Sequence, residues 1–141
     1  MKRLLLASFA LLVVAAIGIA QQPEKKITIP VNRTQASSGK QMYGSYCAPC
    51  HGMNGKGHGP VATALKTPPT DLTLLSRQHD GKFPDAHIVA VMQFGTNTPA
   101  HGSAEMPVWG PILGKMNQAN SQESQLRVSN LSSYLKSIQV K

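Results

Sequence analysis

The sequence predicts an all-helical domain, and three observations carry that prediction. Val128, Leu131, Tyr134, Leu135 and Ile138 recur at three, three, one and three residues, which places them along one side of a helix. Ile88, Val91 and Met92 share a face in the same way, between Pro84 and Gly95. Sustained alternation of apolar and polar residues, the mark of a half-buried strand, is missing apart from the brief Ile27-Thr28-Ile29, and no repeat or parallel-sheet pattern is present.

The elements follow in chain order. Met1-Lys2-Arg3 precede an almost wholly apolar run from Leu4 to Ala20 that closes on Gly18-Ile19-Ala20. A basic start, an apolar stretch and small residues at the exit are the features of a secretion signal, so residues 1–20 are expected to be cleaved after Ala20. The competing expectation is an uncleaved N-terminal membrane anchor, for which this run is near the short limit. Either way, the rest of the chain is expected in the periplasm or otherwise outside the cytoplasm. Residues 21–36 carry two prolines and no helical period, and read as an extended leader or linker. Residues 37–141 are the size of one domain with one core.

Ser38-Gly39-Lys40-Gln41 matches a capping box, with Ser38 as N-cap, and predicts a helix running through Met42, Tyr43 and Tyr46 into Cys47. Glycine at alternate positions from Gly52 to Gly59 predicts irregular backbone. Short helices are expected over Val61 to Leu65 and after Thr70, with Thr70 as the cap. The firmer element is a helix from Asp85 to Phe94, with Pro84 at its start and Gly95 past its end. From Thr96 to Met116 the glycines and prolines predict one long irregular loop, and a loop of that length in a small domain is usually functional. Asn120-Ser121-Gln122-Glu123 is the expected cap of the last helix.

The formal net charge is +8, yet the positive residues stand singly, at Lys40, Lys56, Lys66, Arg77, Lys82, Lys115, Arg127 and Lys136. A nucleic-acid reader clusters them, so nucleic acid is not an expected partner. Scattered charge mostly means a solvated face; as function it supports salt-sensitive docking to acidic proteins, with peripheral contact to anionic lipid.

Both cysteines of the chain lie in Tyr46-Cys47-Ala48-Pro49-Cys50-His51-Gly52. A disulfide across a two-residue gap removes little chain entropy and stabilises little. A thiol oxidoreductase places the pair at the start of a helix in a strand-helix-strand unit, whereas here the predicted helix comes first. Zinc needs four ligands, and His58, His79, His87 and His101 show no paired helical spacing. Cys-x-x-Cys-His is instead the attachment signal of a c-type haem: Cys47 and Cys50 bond to two adjacent edges of the ring, and His51 is aimed at the iron.

An imidazole fills one side of such an iron, and what fills the other decides function. Met106, in Glu105-Met106-Pro107-Val108-Trp109-Gly110, is the best candidate, because irregular backbone can present its thioether and Pro107 fixes the local geometry. Met92 shares a helical face with Ile88 and reads as core. His101, five residues before Met106, is the alternative ligand, more simply a loop histidine. Trp109 is expected near the ring edge, against the plainer reading of ordinary core.

These residues together resemble the class I cytochromes c, in particular small bacterial mono-haem modules with a Met-Pro-x-Trp-Gly ligand loop. The resemblance runs from Gly39 to Ile138. It rests on Gly39 and Tyr43 before Cys47-Ala48-Pro49-Cys50-His51-Gly52, Gly59-Pro60, Thr70-Asp71-Leu72-Thr73, Phe83-Pro84, Met106-Pro107-Val108-Trp109-Gly110 and Leu131-Ser132-Ser133-Tyr134-Leu135. It implies about three to five short helices around one covalent haem c, with the first and last helices crossing where Gly39 lets Tyr134 and Leu135 approach. It implies that Pro60 offers its carbonyl to the ring N–H of His51. It implies electron transfer between redox proteins, not enzymatic turnover; the alternative is a haem-based sensor or peroxidase-like enzyme with an open sixth position.

Overall fold

The computed structural model describes residues 31–95, 106–116 and 121–140. The expected signal, most of the leader, His101 and the Asn120 cap lie outside the described residues. Among those described there is no strand, and no helix is long and apolar enough to cross a membrane.

Ser38 opens α1 (Gly39–Met42) as the capping box predicts, its Oγ accepting the Gln41 N–H at 3.2 Å. The Gln41 side chain reaches past Ser38 and accepts the Gln35 N–H at 3.0 Å, holding the segment before the helix. A π-helical turn (Tyr43–Cys47) and α2 (Ala48–His51) follow α1 without a break. Pro49 sits in the first turn of α2, where no intrahelical N–H is required.

Three 3₁₀ turns come next: Ala62–Ala64, Leu72–Leu74 and Arg77–His79. The second is capped by Asp71, not by Thr70 as the sequence suggests. Its Oδ1 accepts both the Thr73 N–H at 2.8 Å and the Thr73 hydroxyl at 2.6 Å, and an ionised carboxylate is the stronger acceptor for both. Helix α3 (Asp85–Phe94) has the predicted bounds, with Ile88 and Met92 buried.

The predicted loop from Thr96 to Met116 is corrected in its later part, because α4 (Trp109–Lys115) lies within it. Gly110 and Pro111 look like helix breakers. They occupy the first turn, where proline loses no helical hydrogen bond, and Gly110 lets the helix rest on the backbone of Gln93 at the end of α3. Helix α5 (Ser121–Ser137) carries the apolar stripe, and Val128, Leu131 and Leu135 are buried.

Helix α1 crosses α5 at Gly39. A Cβ there would collide with the Asn130 carbonyl oxygen and sit 2.9 Å from the Tyr134 Cβ, so only glycine permits the approach. The crossing buries Met42 and Tyr43 against Leu131, Tyr134 and Leu135, with the Tyr43 and Tyr134 rings 5.1 Å apart. Helix α3 is tied to α5 by Asp85, whose carboxylate accepts from Ser132 Oγ at 3.0 Å and Lys136 Nζ at 3.3 Å.

One buried residue runs against the expectation of a solvated positive face. Arg127, on α5, is 1% exposed. It forks onto Glu123 one turn earlier, at 2.8 and 3.1 Å, and reaches Thr34 at 3.2 Å.

Candidate functional site

The helices and 3₁₀ turns enclose a mostly apolar cavity of about 200 Å³. Cys47 ends the π-helical turn, Cys50 and His51 lie one turn on in α2, and all three line the cavity. Met106, Pro107 and Trp109 line it from the entry to α4, and Ile88, Val91 and Met92 from α3. Trp109 is buried and stacks on Tyr46 with ring centroids 5.5 Å apart, so it is both core and cavity wall.

Neither cysteine is in a disulfide. Burial pushes the Cys47 thiol up to about 12, the neighbouring Cys50 adding to the shift. A thiol held so high is a poor thiolate, which is the reverse of what a dithiol oxidoreductase requires. Among the described residues no three His, Cys, Asp or Glu side chains converge as a metal-binding group.

His51 is buried, and burial lowers its basicity, partly offset by a backbone hydrogen bond. That bond joins Nδ1 to the Thr70 carbonyl oxygen at 3.0 Å. A carbonyl only accepts, so Nδ1 carries the proton and Nε2 keeps its lone pair, the form in which imidazole binds metals.

The partner of His51 is therefore Thr70 and not Pro60. Pro60 is exposed and lies outside the cavity lining. The glycine loop explains the exchange. Gly57 donates to the His51 carbonyl at 2.8 Å and adopts φ +83°, and a Cβ on it would collide with the Pro69 carbonyl oxygen. Leu72 N–H is held by the Gly55 carbonyl at 2.7 Å. The loop thus draws the 69–72 backbone against His51 and leaves Pro60 outside.

Sequence reading places Thr70 at a helix cap and Met92 in the core. Thr70 orients the histidine, while Met92 is 3% exposed and still faces the cavity. Helical spacing had identified Met92 as inward-facing, without saying what it faced. Exposed His79 and half-buried His87 also border the cavity, their rings 6.3 Å apart.

The arrangement offers two thiols one turn apart, a neutral oriented imidazole and two thioethers, around a space walled by apolar side chains. Compared with known proteins, the chain matches no family model, no curated protein and no solved structure.

Proposed function

We propose that the chain is a mono-haem c-type cytochrome of the class I kind, which carries single electrons outside the cytoplasm between a respiratory or dehydrogenase donor and an acceptor. The observation that carries this reading is the single cavity shared by Cys47, Cys50, His51 and Met106. The residues fit the group: two thiols outside any disulfide stand one helical turn apart, and a buried imidazole beside them is held in its metal-binding tautomer.

Cys47 and Cys50 would hold the ring by thioether bonds, and His51 and Met106 are the side chains that would hold its iron. A haem so held supplies reversible one-electron exchange at its iron. Thr70 fixes the His51 ring and leaves Nε2 as the nitrogen that would hold the metal. The thioether of Met106 favours the reduced state relative to a second imidazole, and the walls formed by Leu72, Leu75, Ile88 and Val91 keep water away.

Met92 shares the cavity with Met106, so thioether sulfur is available from two elements. That supports a filled sixth position over the open one a sensor or peroxidase-like enzyme requires. With His51 and Met106 both holding the metal, the chain would move electrons and leave no place for a substrate at the iron. Its positive charge steers it to redox partners with acidic docking surfaces at rates that fall with salt, and allows peripheral contact with anionic membranes.

The test is export in a host with the haem maturation system, followed by mass spectrometry and a reduced-minus-oxidised visible spectrum. One added tetrapyrrole per chain, with the spectrum of a low-spin c-type haem, is expected. Colourless material of unmodified mass overturns the reading.

A further inference from the structure

Arg127 has no part in the chemistry above, yet it is among the most buried side chains in the protein. A buried guanidinium is costly unless its hydrogen bonds are met, so its partners show what it is for. Nε and Nη2 bind one carboxylate oxygen of Glu123, and Nη1 donates to Thr34 Oγ1 at 3.2 Å, with Met42 Sδ at 3.9 Å.

Thr34 Oγ1 lies 2.7 Å from the Tyr46 hydroxyl, and that hydroxyl lies 2.6 Å from the Asn32 carbonyl oxygen. Counting protons gives the chain a direction. Tyr46 has one hydroxyl proton and the Asn32 carbonyl can only accept, so Tyr46 donates there and Thr34 donates to Tyr46. The Met116 sulfur, 3.5 Å from the same hydroxyl, is the weaker acceptor. Every link therefore donates away from the guanidinium, through Arg127, Thr34, Tyr46 and Asn32 in turn, and each bond polarises the next.

The relay meets the cavity at Tyr46. Tyr46 is 1% exposed, immediately precedes Cys47, stacks on Trp109, and lines the cavity with it. We propose that Arg127 is a positioning residue: through Thr34 it fixes the Tyr46–Trp109 stack as a rigid cavity wall, and its buried charge biases the group held there towards its reduced state. This rests on the haem reading above. The sign follows from charge alone. A cation fixed in the low-dielectric interior opposes a further positive charge nearby, so it favours the state with one more electron. Glu123, paired with the guanidinium at 2.8 Å, offsets part of that charge, and because its carboxylate is 32% exposed while Arg127 is 1% exposed the offset is incomplete.

The experiment uses the exported holoprotein and the variants Arg127→Gln, Arg127→Lys and Tyr46→Phe, each poised at one fixed ambient potential. The reduced-to-oxidised ratio is read from the visible spectrum. Arg127→Gln is expected to lower the ratio about three- to tenfold, tenfold being about 59 mV for one electron. Arg127→Lys restores most of that loss. Tyr46→Phe keeps the ring and breaks the relay, so it lowers the ratio about twofold, and combined with Arg127→Gln it gives less than the product of the two.

If Arg127→Gln fails to accumulate, Tyr46→Phe and Arg127→Lys decide the matter. Haem-loaded variants whose ratios match the parent, or whose effects simply multiply, overturn the relay and leave the haem reading standing. A parent chain with no tetrapyrrole overturns both.

Discussion

Replacing Gly39 by alanine sets two effects of opposite sign against each other. Alanine in place of glycine in a helix is ordinarily stabilising by about 0.5–1 kcal/mol, since the unfolded chain loses freedom. Gly39 is the first residue of α1, so the gain falls at the low end of that range. Against it stands the crossing with α5. The atom a new Cβ would strike is the backbone carbonyl oxygen of Asn130, which sits within a 17-residue helix and cannot turn aside as a side chain can. The helices must separate, and the gap opens between Met42, Tyr43, Leu131 and Leu135, all of them buried. Overpacking of this kind typically costs about 1–3 kcal/mol. The cost exceeds the gain, leaving a net destabilisation of about 0.5–2.5 kcal/mol, and each kcal/mol lowers Tm by about 4–8 °C in a domain near this size. Thermal unfolding of parent and Gly39→Ala, followed by far-UV circular dichroism, measures it. A Tm equal to or above the parent's would refute the close crossing of α1 and α5 at this residue.

Three further outcomes are expected. The Cys47→Ala, Cys50→Ala double variant should lose the covalent cofactor and with it the cooperative thermal transition, because burying a large macrocycle at about 25 cal/mol per Å² contributes on the order of 10 kcal/mol, as much as a whole domain's stability; a sharp transition in cofactor-free protein would contradict this. Met106→Ala should remove the sulfur-to-iron band at the red end of the oxidised spectrum and lower the potential, while an unaltered spectrum would transfer the ligand role elsewhere, Met92 first. Burial holds His51 below its ordinary basicity, so protonation competes for its ring only below the usual value of about 6.5; in the holoprotein the low-spin spectrum should persist from about pH 7.5 to about pH 5, and its loss at about pH 6.5 would count against a buried neutral imidazole.

What the sequence made legible has a physical pattern. Helix α3 was readable to its ends because Pro84 and Gly95 punctuate it, and α5 because its stripe is regular. Ser38 was readable because capping is local, settled by side chains three residues apart. Helix α4 was not, since Gly110 and Pro111 break helices everywhere except in the first turn, and only the packing of Gly110 on Gln93 shows which turn this is. Thr70 was hidden for a different reason. The atom it contributes is a carbonyl oxygen that every residue owns, so no side chain advertises it, and its aim is set by Gly57 through a long-range approach. Arg127 was misjudged because charge alone says water, and the partners that permit its burial, Thr34 and Glu123, come from distant and adjacent turns alike.

The wide π-helical turn over Tyr43–Cys47 carries a consequence for how this chain can vary. Such turns are rare, and occur as single wide turns holding one extra residue inside otherwise α-helical segments. Excising one residue from it would cost little by composition and would tighten the coil back to the commoner pitch. Every side chain downstream would then swing by about 100° around the axis, the angle between successive residues at 3.6 per turn. Cys47, Cys50 and His51 would all be present and all face elsewhere. The chain is consequently intolerant of a change in the length of this turn, so lineages descending from it should preserve the residue count between Ser38 and Cys47 as strictly as they preserve Gly39, Tyr46 and Cys47 themselves.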